Sequence, residues 1–327
     1  MGPGCGRPDL SVDIGGYRFK NPVFVASGIV GYGLEYTHLA GLAELGAVVL
    51  KGTTLEPRKG NPPPRLAETP CGLLNSVGLE NPGVEEVVGR IAPELMRSGI
   101  TAIANIAGTT VQEYRTLAEK FDECEAVAAI EVNVSCPNVT KGGMHFGVEP
   151  RATAEVVAAV RKATTKPVLV KLSPNAADIV KVAVAAEEAG ADAVSLINTI
   201  LGMAIDVESR RPVLGNVFGG LSGPAVKPIA LRMVWDVCGA ISIPVVGIGG
   251  ISTARDALEF ILAGASAVQI GTALFSNPEA AGEVLLGLET YLRETGSSSV
   301  AEIVGAARSS YRGRTEGERE CRDGANS

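Results

Sequence analysis

The chain has 327 residues, 46% of them apolar, enough for one large barrel or two ordinary domains. Its formal net charge is −7 and no basic block stands out, so a nucleic-acid partner has no electrostatic footprint here. The longest uncharged stretches, 237–254 and 260–278, are broken by Gly, Pro, Ser and Gln, which argues against a membrane span.

Residues 10–20 read as a hairpin turning at Gly15-Gly16, a plug under a barrel. From there, short β-branched runs alternate with Ala-rich helical patterns. Strands are predicted near 23–27, 47–52, 101–106, 128–135, 167–172, 191–198, 243–247 and 265–271. Helical patterns lie between several of them, as at 152–164 and 178–189, the latter followed by Gly190 as a C-cap. Aromatics make up only 4% of the chain, so the core is expected to be aliphatic, as in parallel sheets covered on both faces. Eight even alternations predict an α/β fold, a (β/α)8 TIM barrel, over the alternative of a doubly wound open sheet. Three stretches exceed what a connecting helix needs: 53–100, 136–150 and 199–225. Insertions of that length are usually lids or binding loops, and all three follow strands, on the catalytic face of a barrel. A single domain is expected over 1–308, with 309–327 a disordered polar tail.

Chemistry gathers at the predicted strand ends. Glu131-Val-Asn-Val-Ser-Cys-Pro-Asn-Val139 reads as a buried strand ending on a thiol, Cys136, with carboxamides at Asn133 and Asn138. Taken alone, Cys136 could equally be an inert buried residue. Lys51 and Lys171 fall near the ends of the second and fifth strands. A lysine there can be a Schiff-base nucleophile, an anion clamp or a cofactor's electrostatic partner, or it can simply snorkel from the rim. Asn75, Asn105, Asn133 and Asn198 suit a heterocycle with alternating C=O and N–H groups, although any one of them could be structural. Gly247-Ile-Gly-Gly-Ile251 and Gln269-Ile-Gly-Thr-Ala273 follow the seventh and eighth strands, where barrels of this kind bind phosphate. The six cysteines show no C-x-x-C spacing and His38 and His145 are the only histidines, so no metal site is expected. Scattered thiols and the lack of a signal-peptide pattern fit the cytoplasm.

A resemblance rests on ordered motifs between about residues 10 and 308. They are Asn21-Pro-Val-Phe-Val-Ala-Ser-Gly28, Lys51-Gly-Thr53, Asn75-Ser-Val-Gly-Leu-Glu-Asn-Pro-Gly83 and Asn133-Val-Ser-Cys-Pro-Asn138. Lys171-Leu-Ser-Pro174, Ile197-Asn-Thr199, Gly219-Gly-Leu-Ser-Gly-Pro224 and the two glycine motifs follow. In these the chain resembles the flavin-dependent dihydroorotate dehydrogenases, specifically the soluble, NAD-linked type-B branch.

That resemblance implies oxidation of (S)-dihydroorotate to orotate in pyrimidine biosynthesis, with FMN on this chain. It puts Gly249, Gly250, Gly271 and Thr272 at the FMN phosphate, and Ser27, Lys51, Gly52, Asn105, Asn133, Lys171, Ile197 and Gly223 at its other contacts. It places the substrate against Lys51, the loop Asn75, Ser76, Val77, Gly78 and Leu79, then Asn133, Asn198 and Thr199. Cys136 becomes the general base, where membrane-bound, quinone-linked members use serine. The Val139-Thr-Lys-Gly-Gly143 continuation and the Leu73-Leu-Asn-Ser-Val-Gly-Leu79 loop are similar to the NAD-linked branch rather than the fumarate-using one. Members of that branch work with a second subunit carrying FAD and a 2Fe-2S cluster. The implied assembly is a homodimer core within a heterotetramer of two catalytic and two electron-transfer subunits. Cys71 departs from the family's pattern, standing just before the substrate loop. Rival readings are the flavin domain of a dihydropyrimidine dehydrogenase, a flavin-free barrel aldolase or isomerase using Lys51 or Lys171, and a non-catalytic flavin-binding scaffold.

Overall fold

Continuous β-branched runs without polar alternation favour strands buried on both faces. The structure, a computed structural model describing residues 7–36, 41–134 and 147–309, uses them in that way. The chain opens with β1 (Val12–Ile14) and β2 (Tyr17–Phe19), an antiparallel pair turning through Gly15 and Gly16 at positive φ. A Cβ on Gly15 would stand 2.8 Å from Asp192 and 3.0 Å from Pro167, so the turn is pressed against the barrel's lower rim.

Strands β3 (Val23–Val25) and β4 (Ala47–Val49) start the barrel. After β5 (Leu66–Thr69) and β6 (Gly72–Asn75), both outside it, four more barrel strands follow. These are β7 (Ala102–Ile106), β8 (Val127–Asn133), β9 (Val168–Lys171) and β10 (Ala193–Leu196). The insertion at 199–225 holds β11 (Ile200–Gly202), β12 (Ile205–Asp206), β13 (Arg211–Pro212) and β14 (Gly219–Ser222). Finally β15 (Val245–Ile248) and β16 (Ala267–Ile270) complete a closed parallel barrel in chain order, with Ile270 of β16 opposite Val25 of β3. Each predicted strand is present, generally cut short where its residues leave the ladder to line the barrel mouth.

Helices pack around this barrel. In chain order they are α1 (Val84–Glu86), α2 (Ala92–Arg97), α3 (Val111–Asp122), α4 (Pro150–Ala163) and α5 (Ile179–Glu188). Next come α6 (Lys227–Cys238), α7 (Ala254–Ala263), α8 (Ala273–Ser276) and α9 (Ala280–Thr295). Their starts follow capping chemistry: the Thr110 side chain accepts from the Glu113 N–H, and the Asp178 side chain from the Lys181 N–H. Gly190 follows α5 at φ 96, as its place in the sequence predicts. Glycine also sets how closely layers approach. A Cβ on Gly247 of β15 would lie 2.5 Å from the Phe260 ring of α7.

Two of the long insertions are not loops. β5, β6, β11 and β14 join into one antiparallel sheet, ordered β11-β14-β6-β5, that roofs the barrel mouth. The sequence hides these strands because glycine sits inside them for steric reasons. A Cβ on Gly72 would meet the Ser222 carbonyl at 2.1 Å, and one on Gly220 would meet Thr199 Oγ1 at 2.0 Å. Residues 135–146, most of the insertion at 136–150, and 310–327 of the expected tail lie outside the described residues.

Candidate active site

Between the barrel's strand ends and the roof lies a cavity of about 770 Å³, within the range of small-molecule sites. Its floor is built from residues just at or beyond every barrel strand except β7: Ser27, Lys51, Gly52, Asn133, Lys171, Ile197, Asn198 and Thr199, then Gly249, Gly250, Gly271 and Thr272. The roof contributes Asn75, Ser76, Val77, Gly78, Leu79 and Gly223. Among the described lining residues two lysines, Lys51 and Lys171, are the charged ones, and no carboxylate is present. Such a lining favours an anionic ligand.

Backbone is laid bare at the ends of β15 and β16. Gly249 and Gly250 adopt φ of 129° and 71°, and a Cβ on Gly250 would stand 2.8 Å from the Gly223 carbonyl oxygen. The N-terminus of α7 just beyond is already occupied by a protein carboxylate. Asp256 accepts from the Ser252 N–H at 3.1 Å and the Thr253 N–H at 2.9 Å, and Lys227 pairs with it at 2.6 Å. Burial pushes the Asp256 carboxyl up, but the Lys227 bond and the other donors outweigh it and hold it below the usual carboxylate range. An anion is therefore left the glycine backbone itself, at 249–250 and 271–272.

The roof loop that follows β6 is pinned by hydrogen bonds. Asn75 Nδ2 donates to the Gly220 carbonyl at 3.1 Å, and Asn61 Nδ2 donates to Ser76 Oγ at 3.1 Å. Leu79 holds φ 57, which a non-glycine residue rarely adopts, and Asn81 Nδ2 donates to its carbonyl at 2.8 Å. Asn81 is 5% exposed and its Oδ1 also accepts from the Thr54 and Gly83 N–H groups. On the β10 side, Asn198 Oδ1 accepts from the Thr199 N–H at 2.8 Å, and the Leu196–Ile197 peptide bond is cis. Asn175 clips this segment, donating to the Thr199 carbonyl and accepting from the Leu201 N–H. Near Lys51, Thr53 Oγ1 donates to the Lys51 carbonyl at 3.0 Å, with the Tyr32 hydroxyl 3.4 Å away. Burial pushes the Tyr32 phenol up to about 12, against the weaker pull of its Thr53 bond.

One expected contact residue does not line the cavity. Asn105 is fully buried beneath Gly52, because its strand position points the side chain into the barrel interior. There Asn105 Nδ2 donates to Glu131 Oε2 at 2.6 Å, while its Oδ1 has no partner among the described residues. Glu131 is the residue that sequence reasoning passed over. The signal was available, since a carboxylate within an otherwise apolar strand demands buried partners. Asn81 and Asn175 were also missed, because nothing in a lone asparagine announces a clip. Cys136 lies outside the described residues, although Val134 before it and Gly147 after it both line the cavity. Cys71 is exposed in the β5–β6 turn and does not line it.

Exposed apolar side chains ring the cavity mouth: Leu66, Leu201 and Phe218 on the roof side, and Phe275 on α8. Among the described residues no helix is long and apolar enough to cross a membrane.

The chain matches the family described as Dihydroorotate dehydrogenase over residues 9–292. It is similar to proteins named "Dihydroorotate dehydrogenase B (NAD(+)), catalytic subunit" from several bacteria. The one from Desulforudis audaxviator is 58% identical over 297 residues, covering 91% of this chain and 97% of the relative. That of Desulforamulus reducens is 56% identical over 91% of this chain and 98% of the relative. The Geotalea daltonii protein is 53% identical over 92% and 98%. With the family match running from β1 into α9 and these relatives alike almost end to end, the chain belongs to the dihydroorotate dehydrogenase family.

Proposed function

We propose that the protein oxidises (S)-dihydroorotate to orotate in pyrimidine biosynthesis, as the FMN-holding catalytic subunit of an NAD-linked enzyme. The observation that carries this reading is the cavity lining: two lysines, clustered carboxamides and bare glycine backbone, with no carboxylate among the described lining residues. The relatives' names support it.

FMN fits these residues by size and charge. Its phosphate would rest on Gly249, Gly250, Gly271 and Thr272, and its ring would lie among Ser27, Lys51, Gly52, Asn133, Lys171, Ile197 and Gly223. Asn105 would act from beneath Gly52, where any side chain would stand 3.1 Å from its orphan oxygen. Dihydroorotate carries a carboxylate for Lys51 and a cyclic ureide for Asn75, Asn133 and Asn198, with Ser76, Val77, Gly78, Leu79 and Thr199 closing around it.

Oxidation removes a proton from one ring carbon of the substrate and a hydride from its neighbour. Bound FMN supplies the hydride acceptor. We assign the proton to Cys136, whose thiolate is the form that can accept it. Lys171 holds an ammonium at the cavity floor, where negative charge on a reduced ring is favoured. NAD⁺ is the final acceptor, reached through a separate subunit carrying FAD and a 2Fe-2S cluster, around a homodimeric catalytic core. The exposed apolar rim at the cavity mouth supports such a cover, and scattered thiols support a cytoplasmic setting.

Anaerobic mixing with dihydroorotate, followed by flavin absorbance, tests the reading. Rapid bleaching that NAD⁺ reverses only when the partner subunit is present is the expected result. Recovery with fumarate alone would move the protein to the fumarate-linked branch. Bleaching by dihydrouracil but not dihydroorotate would assign it to dihydropyrimidine chemistry.

A further inference from the structure

Glu131 is fully buried at the centre of the barrel, and none of the roles above employs it. A carboxylate in such a place is costly unless its oxygens are satisfied and its charge is balanced. Here both oxygens are engaged. Oε1 accepts from Ser195 Oγ at 2.8 Å and from Gln269 Nε2 at 2.7 Å. Oε2 accepts from Asn105 Nδ2 at 2.6 Å and lies 3.7 Å from Lys171 Nζ. These groups come from β7, β9, β10 and β16, so a β8 carboxylate gathers side chains from across the barrel. A scaffold alone does not call for it, because well-packed aliphatic residues fill such a core at least as stably. The cluster differs from the rest of the interior in one respect: its lysine reaches the cavity floor.

We infer that Glu131 is a positioning residue for Lys171 and its counter-charge, setting the field that the cavity floor presents to the flavin ring. This rests on the FMN reading above. An unbalanced ammonium against the ring would over-stabilise the reduced, anionic flavin and hold its electrons. The Glu131–Lys171 pair keeps the ammonium in place while cancelling much of its long-range field. Electrons can then pass onward to a weak oxidant such as a nicotinamide.

Redox titration of the FMN-loaded protein tests this at pH 7 with wild type, Glu131→Gln and Glu131→Asp. Gln conserves shape, and the network can accept it. With the new amide nitrogen at the Oε1 end, the Gln269 amide can flip to offer its partnerless Oε1, while the remaining oxygen still accepts from Asn105 Nδ2 beside Lys171. The expected result is that Glu131→Gln favours two-electron reduction at least tenfold, a rise of about 30 mV. Glu131→Asp keeps the charge and stays within threefold of wild type, despite its shorter reach. A purely structural role predicts the reverse order of damage. An unshifted Glu131→Gln, a downward shift, or both variants moving together overturns the inference. Should Glu131→Gln unfold, adding Lys171→Met removes the stranded ammonium, and recovery of a cooperative melt is expected; no recovery also overturns it. Wild type that purifies without FMN overturns the functional reading and this inference together. Wild type with FMN and an unshifted variant overturns the inference alone.

Discussion

Lys51 and Lys171 both end barrel strands, yet their surroundings give them different work. Lys171 is 7% exposed and stands beside Glu131, whereas Lys51 is only half-buried in the cavity lining. Lys51→Ala is expected to weaken orotate by about tenfold to a hundredfold, the worth of a charge-assisted hydrogen bond. Uracil, which lacks the carboxylate, should lose much less. Calorimetric titration of both ligands decides, and equal losses would remove the carboxylate contact. Cys136→Ser should keep FMN and orotate binding but slow flavin reduction about 100-fold or more near pH 7, the usual cost of losing a general base. Stopped-flow absorbance measures this, and an unchanged rate would exclude Cys136 as the base. At this scale the sequence was legible wherever a residue type announces a special need, as the glycines of 249–250 and the lysines did. It was opaque about which residues Glu131 meets: Asn105, Ser195 and Gln269. They lie up to 138 positions away, and only barrel closure brings them together.

Elements were legible where one apolar run makes one strand. The roof sheet was not, because β6 and β14 carry glycines that read as turns but in fact admit a neighbouring backbone. The same crowding gives a test among the helices. Gly287 lies inside α9, and a Cβ there would sit 2.2 Å from Ala254 Cβ at the start of α7. Alanine gains about 1 kcal/mol of helix propensity over glycine. Forcing two packed helices apart costs about 1–3 kcal/mol. Packing wins, so Gly287→Ala should lower the denaturation midpoint; a rise would mean that α9 shifts freely. The capping box of α7, by contrast, could be read directly from Thr253 and Asp256 three residues apart.

For the whole molecule, alkaline pH is one sensitive direction. Burial pushes Tyr32 up to about 12 from 10.0, and it pushes Cys238 up to about 11 from 9.0 against the nearby Arg308 charge. In both cases the unfolded chain ionises first. Their stabilisation is therefore complete below about pH 9 and is lost as pH climbs towards 12. For Tyr32 the loss amounts to about 3 kcal/mol. Urea midpoints should fall across that window, and Tyr32→Phe should flatten the part above pH 10; an unchanged slope would mean that Tyr32 ionises as readily folded as unfolded.

The barrel's closing seam has a further consequence, for synthesis. β3 finds one neighbour in β4 soon after it is made, but its other neighbour is β16, residues 267–270. A nascent chain on the ribosome therefore carries β3 as a bare edge for most of its translation, open to pairing with any other unfinished strand. Ribosome-stalled chains ending before residue 267 should be cut readily by protease, while chains with β16 fully emerged resist. Until that last strand arrives, the half-made enzyme is a sheet with an open edge.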